Sequence, residues 1–314
     1  MMTLGEKLSR FSWALFIPMC VVLLFSVVVL FSAGNGSWQP FALSQLLKIC
    51  VGMCIFFVAA FSNIKIWIKS AYFIYAIALI LVLLVTFVGD VGMGAQRWLS
   101  LGPINIQPSE FIKIALVLAL ARYFAWANSV EISQFKNYLI PVLMLLVPFI
   151  LICAQPDLGT GISLGLITVG MFYIVGANKK WFLIAGILGL LSLPVVWYGG
   201  MHDYQRARII TFINPEMDAR GAGYQINQAK IAFGSGGIIG KGYMSGTQSQ
   251  QSFLPEKQTD FIFTMLGEEF GFLGAFMLLS IYTFIVIMLF WAAKTCRNRF
   301  GQLVCFGFML NFFI

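Results

Sequence analysis

The sequence predicts an all-α polytopic membrane protein, and three observations carry that prediction. The chain is 60% hydrophobic and only 10% charged, whereas soluble domains carry about 25% charged residues. Its apolar residues form successive runs that approach or exceed the roughly 20 residues needed to cross a hydrocarbon core. Lys and Arg collect in alternate connections between those runs. Backbone groups in lipid must be satisfied within the chain, and no barrel-like alternation is visible, so the spans are expected to be helices.

The first run, residues 11–31, follows Lys7 and Arg10. It is longer than a signal-peptide core of about 7–15 residues and lacks an A-x-A-like cleavage site, so it reads as a retained span. Further runs follow at 43–61, 70–88, 111–127, 138–154, 158–176, 181–198 and 261–293. A last run, 300–314, has 15 residues and stops without flanking charge, so it reads as a truncated ninth span after eight complete transmembrane helices. The whole of 1–314 is expected to form a single membrane domain.

Orientation follows from the positive-inside bias. Lys7 and Arg10, Lys65 and Lys69, Lys136, Lys179 and Lys180, and Lys294, Arg297 and Arg299 fall on one face. The opposite short connections hold only Arg97, with Lys48 and Lys113 near that edge. The N-terminus is therefore expected in the cytoplasm, and a long loop, 199–260, between helices 7 and 8 on the external side. This bias accounts for much of the net charge of +8, so no nucleic acid is implied. The six cysteines avoid the long loop and form no C-x-x-C pair, which supports neither a disulfide framework nor a zinc site.

Polar residues concentrate in two external segments. Loops beyond about 12–15 residues are usually functional or disordered, and 199–260 has the aromatic and β-branched content of an ordered one. Within it, GYQINQAKIAFGSGG reads as a short amphipathic helix with Ile226, Ala229 and Phe233 near one face and Gly234 placed to end it. GSGGIIGKG lacks the spacing of a P-loop and reads as turn-forming glycines. Arg206, Arg208, Lys241 and Lys257 are candidates to clamp the phosphates of an anionic lipid headgroup, and mixed solvated charge is the plainer alternative. In the shorter segment, Glu110 suits a helix N-terminus and pairs with Lys113 at i,i+3 spacing, while Asp157 marks another helix start. Glu268 and Glu269 stand inside an apolar run. A charge deep in a bilayer costs about 2.5–3.5 kcal/mol, so at least one is expected to face the protein interior or a wet cavity.

Four motifs together resemble the SEDS family (FtsW, RodA, SpoVE). They are GAQRWLSLG…QPSEFIKIA, AQPDLGTG, RIITFINPEMDARGAGYQINQAKIAFGSGGIIGKG and LPEKQTDFIFTMLGEEFG, in family order over nearly the whole chain. GTQSQQSFLPEKQTDFIF looks more like the RodA branch, of cell elongation, than the FtsW branch. The family has ten spans, and this chain stops in its ninth. The resemblance implies a peptidoglycan glycosyltransferase that polymerises lipid II at the outer face of the bacterial cytoplasmic membrane, beside a class B penicillin-binding protein. It places the essential acid on Asp260, an Arg-Trp pair on Arg97 and Trp98, and a helix-start acid and base on Glu110 and Lys113. Glu256 is the nearest alternative carboxylate, and Lys257 and the loop arginines are candidates for the leaving group. No covalent nucleophile is required. A divalent cation could share the pyrophosphate charge, although the sequence shows no dedicated cage. Two other classes compete: a flippase for lipid-linked precursor, which the intramembrane acids would suit, and a noncatalytic scaffold for the penicillin-binding protein.

Overall fold

The computed structural model describes residues 11–92, 95–101, 104–127, 134–201, 203–218, 221–250 and 258–314. The long apolar runs are all helical. In chain order they form α1 (Trp13–Ala33), α2 (Phe41–Phe61), α3 (Ile64–Val88), α4 (Pro108–Ala125), α5 (Leu139–Ala154), α6 (Leu158–Val175) and α7 (Lys179–Val195). The long loop then contributes α8 (Asp203–Ile213), α9 (Ala222–Ser235) and a single turn, α10 (Thr247–Gln250). It is followed by α11 (Ile262–Thr295) and α12 (Arg299–Phe313).

Among the described residues seven helices are long and apolar enough to cross a membrane by length and composition: α1, α2, α3, α5 with its 3-10 lead-in, α6, α7 with the turn that follows it to Gly200, and α11. α4 has 18 residues and carries Glu110, Lys113 and Arg122, so the expected count of eight complete spans turns on this helix. α12 has 15 residues.

The chain divides into two compact units. One comprises Met1–Phe61 and Leu188–Ile285, the other Ser62–Ile187 and Val286–Ile314. In the second unit α4 is the central helix. Every residue from Ala115 to Ala121 is buried, so no apolar stripe is distinguishable on it, as expected for a helix packed on all sides. Ile112, Leu116, Leu120 and Phe124 pack in one core with Val82, Ile152, Leu164, Ile167, Met171, Phe300 and Leu303. Local signals set the helix ends: Asn63 caps α3 by accepting from the Lys65 N–H at 3.0 Å, and Gly176 at φ 98° closes α6 in the left-handed conformation.

The polar segment before α4 is not an irregular loop. It forms a small antiparallel sheet in the order β1 (Asp90–Gly92), β2 (Ala95–Leu101), β3 (Ile104–Ile106), a feature that composition did not announce. AQRWLSL alternates apolar and polar residues only over Leu99-Ser100-Leu101, too short a run to signal its central strand.

In the first unit α1 and α2 pack through a cluster of rings, Phe11, Phe16, Phe56, Phe57 and Phe61. A smaller core joins α1 to α11 through Val29, Leu266 and Ala275. Most remaining large apolar side chains of both units point outward, as a lipid solvent allows.

Candidate active site

The polar centre of the first unit is built around a break in α11. The helix is interrupted at Gly271, whose backbone lies at φ 66°, ψ −163°. In an unbroken helix the N–H groups of Phe272 and Leu273 would donate to the carbonyls of Glu268 and Glu269, four residues back. Instead Phe272 donates to Gly237 O at 2.9 Å and Leu273 to Ile238 O at 3.1 Å. The two carbonyls accept from Lys241 N at 3.0 Å and Gly242 N at 3.1 Å. Segment 237–242 therefore exchanges both bonds of the missing turn for two pairs of its own, and no peptide group in the exchange is left bare. Irregular backbone at membrane depth requires such substitution.

Glycine makes the approach close enough. A Cβ on Gly240 would overlap the Glu269 carbonyl, and one on Gly271 would overlap the Gly240 backbone. Both also have positive φ, so other residues there would be strained. The turn reading of GSGGIIGKG holds. Gly234, by contrast, does not end α9: the helix continues to Ser235 and is capped at Gly236.

The same knot buries Glu268 and Glu269, which are 0% and 1% exposed. Glu268 Oε1 pairs with Lys241 Nζ at 2.8 Å and also accepts from Gln248 N at 2.9 Å and Thr247 Oγ1 at 3.2 Å. Lys241 Nζ donates in addition to Thr247 Oγ1 at 2.8 Å. Glu269 Oε1 accepts from the Ser32 hydroxyl of α1. Tyr243 donates to the Val28 carbonyl of α1 at 3.0 Å. Burial, and secondarily the nearby charge of Glu269, push the Tyr243 pKa above the ordinary tyrosine value. The acids lie in the interior, as expected. Lys241, expected among the phosphate-clamping cations, pairs with Glu268 and keeps its side chain 26% exposed.

Asp260 sits on the exposed turn at the start of α11. The next residue, Phe261, lines a groove of about 440 Å³ together with Ile226, Ala229, Lys230, Phe233 and Phe263. Phe233 and Phe263 stack with ring centroids 5.8 Å apart. The expected shared face of Ile226, Ala229 and Phe233 is thus the wall of an apolar groove with one lysine. Lys230 had no signal of its own in the sequence beyond being one cation among six in the loop. Arg208 is exposed on α8, and Arg206 donates to the Tyr198 carbonyl at 3.0 Å. Glu256 and Lys257 lie outside the described residues.

The remaining candidates belong to the second unit. Trp98 lies on β2, paired in register with Asp90 and 42% exposed. Arg97 adjoins it on the strand, and its side chain lies outside the described residues. At the start of α4, Lys113 Nζ pairs with Glu110 Oε2 at 2.9 Å, as the spacing predicts. Asp157 caps α6, accepting from Thr160 N at 3.4 Å and Thr160 Oγ1 at 2.9 Å, and Gln107 Nε2 reaches it at 3.4 Å. The neighbouring Gln155 amide bonds to Val82 O at 2.7 Å and Thr86 Oγ1 at 2.9 Å on α3. Both polar ends of AQPD therefore have structural work. Among the described residues no cluster of three or more His, Cys, Asp or Glu could hold a metal ion.

Comparisons with known proteins cover nearly the whole chain. The family model of FtsW, RodA and SpoVE, described as cell cycle protein, matches residues 6–314. A relative from Escherichia coli K12 named peptidoglycan glycosyltransferase MrdB is 38% identical over 93% of this chain and 78% of its own length. A probable peptidoglycan glycosyltransferase FtsW from Aliivibrio salmonicida is 32% identical over 86% of this chain and 68% of its own. Among solved structures, one described as a peptidoglycan synthase complex that coordinates polymerization and crosslinking contains a chain with TM-score 0.78 and 28% identity, covering 96% of this chain and 83% of that one. Thermus thermophilus rod shape determining protein RodA shares the fold with TM-score 0.68, at 24% identity over 96% of this chain and 81% of that one.

Proposed function

The chain belongs to the FtsW, RodA and SpoVE family, and from that membership we propose that it is a peptidoglycan glycosyltransferase that polymerises lipid II. The reaction is placed at the outer face of the bacterial cytoplasmic membrane, and within the family the elongation branch is favoured by the RodA-like motif around Asp260. A class B penicillin-binding protein is the expected partner, a reading supported by the peptidoglycan synthase complex among the similar structures.

One geometric observation carries the mechanism. Of the three carboxylates between Thr259 and Gly271, two are buried in the knot with protein donors, and only Asp260 is exposed, one residue before Phe261 of the apolar groove. The donor sugar is joined through an α-linked pyrophosphate and the product is β-linked, so one inverting displacement is enough. The acceptor hydroxyl attacks the anomeric carbon as the bond to the pyrophosphate oxygen breaks. Asp260 takes the hydroxyl proton, and the polyprenyl pyrophosphate leaves with the bonding electrons. Positive charge on the departing pyrophosphate stabilises the transition state. Lys257 is the cation nearest to Asp260 in sequence and Lys230 lines the groove; Arg206 and Arg208 of the same unit are further candidates for that charge. Arg97, Trp98, Glu110 and Lys113 of the second unit are further candidates to contact lipid II. A divalent cation at the pyrophosphate would be held mainly by the phosphates, since the described residues offer no three-ligand cluster. The groove between α9 and the start of α11 suits the first isoprene units of the tail, which must remain in an apolar phase while the head reacts at the interface.

The test is polymerisation of purified lipid II by the full chain with its partner. Asp260→Asn keeps the side-chain shape and removes the base. It should insert and bind the partner normally while losing about 10²–10⁴-fold in rate. Glu256→Gln should remain active. An active Asp260 variant beside a dead Glu256 variant would overturn the assignment, and lipid movement across the bilayer without polymer would overturn the enzyme reading.

A further inference from the structure

The second unit holds a cleft for which the glycosyl-transfer reaction has no use. Its volume is about 720 Å³, and it lies where the connection after α6 meets the connection between α11 and α12. Lys179, Arg297, Arg299 and Gln302 line it together with the rings of Phe290 and Phe306. Those rings meet edge to face with centroids 6.0 Å apart. No Asp or Glu lines the cleft, and neither 176–180 nor 294–299 contains one. Among the described residues, no carboxylate pairs with any of the three cations.

Two helices also begin there. Asn178 accepts from the Lys180 N–H at 3.1 Å and Asn298 from the Phe300 N–H at 2.9 Å, so the N-terminal ends of α7 and α12 both border the cleft. Helix N-termini carry partial positive charge that adds to the side-chain cations. The cleft therefore offers clustered positive charge and aromatic surface together. An inorganic anion would use only the charge. An amphiphile with a phosphate uses both.

We propose that this cleft binds the headgroup of an anionic phospholipid, with its phosphate on Lys179, Arg297 and Arg299 and the upper part of an acyl chain against Phe290 and Phe306. The cleft lies on the face that carries the Lys- and Arg-rich connections, and basic pockets between spans at that face are suited to anionic lipids. This inference is independent of the glycosyl-transfer reading, because it rests on a different unit and needs no turnover.

The experiment is native mass spectrometry of the full chain released from nanodiscs containing phosphatidylglycerol, cardiolipin or only phosphatidylethanolamine. The wild-type protein should retain one anionic lipid and show no comparable retention of phosphatidylethanolamine. Each cation near a membrane surface is worth roughly fivefold in affinity, so Lys179→Gln/Arg297→Gln/Arg299→Gln should lower retention on the order of a hundredfold. All three side chains are exposed, so the neutral replacements leave the core intact, and Arg299→Gln alone provides a milder second variant. Lys65→Gln/Lys69→Gln removes two cations from the same face outside the cleft and should leave retention unchanged. Equal retention by the triple variant would overturn the proposal. So would an equal loss in the Lys65/Lys69 variant, which would show a diffuse surface effect, or displacement of the lipid by millimolar inorganic phosphate, which would show a free-anion site.

Discussion

Lys241 is the residue on which the buried carboxylate depends. Its ammonium sits 2.8 Å from Glu268 Oε1, and the lysine side chain is 26% exposed while that of Glu268 is fully buried. Removing one member of such a pair leaves a charge without its partner, at a typical cost of about 3–5 kcal/mol. The partial exposure of Lys241 and the two further donors to Glu268 place the expected loss at the lower end of that range. Lys241→Met should therefore reduce the yield of folded protein and lower its unfolding temperature in detergent by several degrees, with Lys241→Arg intermediate. Glu269→Gln should be milder, because an amide oxygen still accepts from Ser32. A Lys241→Met protein as stable as the wild type would show that Glu268 is held neutral or by its neutral donors alone.

At the scale of the element, the break in α11 is the feature that most separates this helix from an ordinary span. Its 34 residues read as one apolar run, yet two ladder bonds are replaced by bonds to segment 237–242. Positive φ alone costs a non-glycine residue about 1–2 kcal/mol, and at Gly240 and Gly271 a methyl group would also strike backbone, which cannot turn aside. Gly240→Ala and Gly271→Ala should each fail to give monodisperse folded protein. Gly234→Ala is the matching control. It lies inside α9, and nothing stands within 4 Å of the place a methyl carbon would take, so the change should be neutral or stabilising by up to about 1 kcal/mol. Alanine at Gly271 that leaves melting behaviour unchanged would refute the exchange of backbone bonds.

For the whole molecule, the positive-inside pattern makes a topological prediction. In a background with the six native cysteines replaced, Lys180→Cys should react with a membrane-impermeant maleimide only after the cytoplasmic face is opened. Ser245→Cys, exposed in the long loop, should react in intact spheroplasts. The reverse labelling of Ser245→Cys would put Asp260 in the wrong leaflet for an external polymerase.

Local signals made much of this protein legible without a structure. Apolar runs of span length dictate helices because lipid offers no partner for a bare peptide group, and each long run is helical. Asp157 and the Glu110–Lys113 pair were readable because capping and i,i+3 pairing act within one turn. Glu268 and Glu269 could be assigned to the interior on desolvation cost alone. Their partners could not: Lys241 is 27 residues from Glu268 and Ser32 is 237 residues from Glu269, and no local rule links such positions. The same limit hid the break at Gly271, since a glycine inside an apolar run reads the same whether its helix is continuous or opened by a distant loop. The small sheet before α4 and the basic cleft at the ends of α6 and α11 are likewise products of which segments meet. Sequence alone determined the membrane class and the long apolar helices, because those follow from solvent and short-range bonding. Tertiary structure decided which charges neutralise one another and which remain available, because that depends on the packing of residues far apart in the chain.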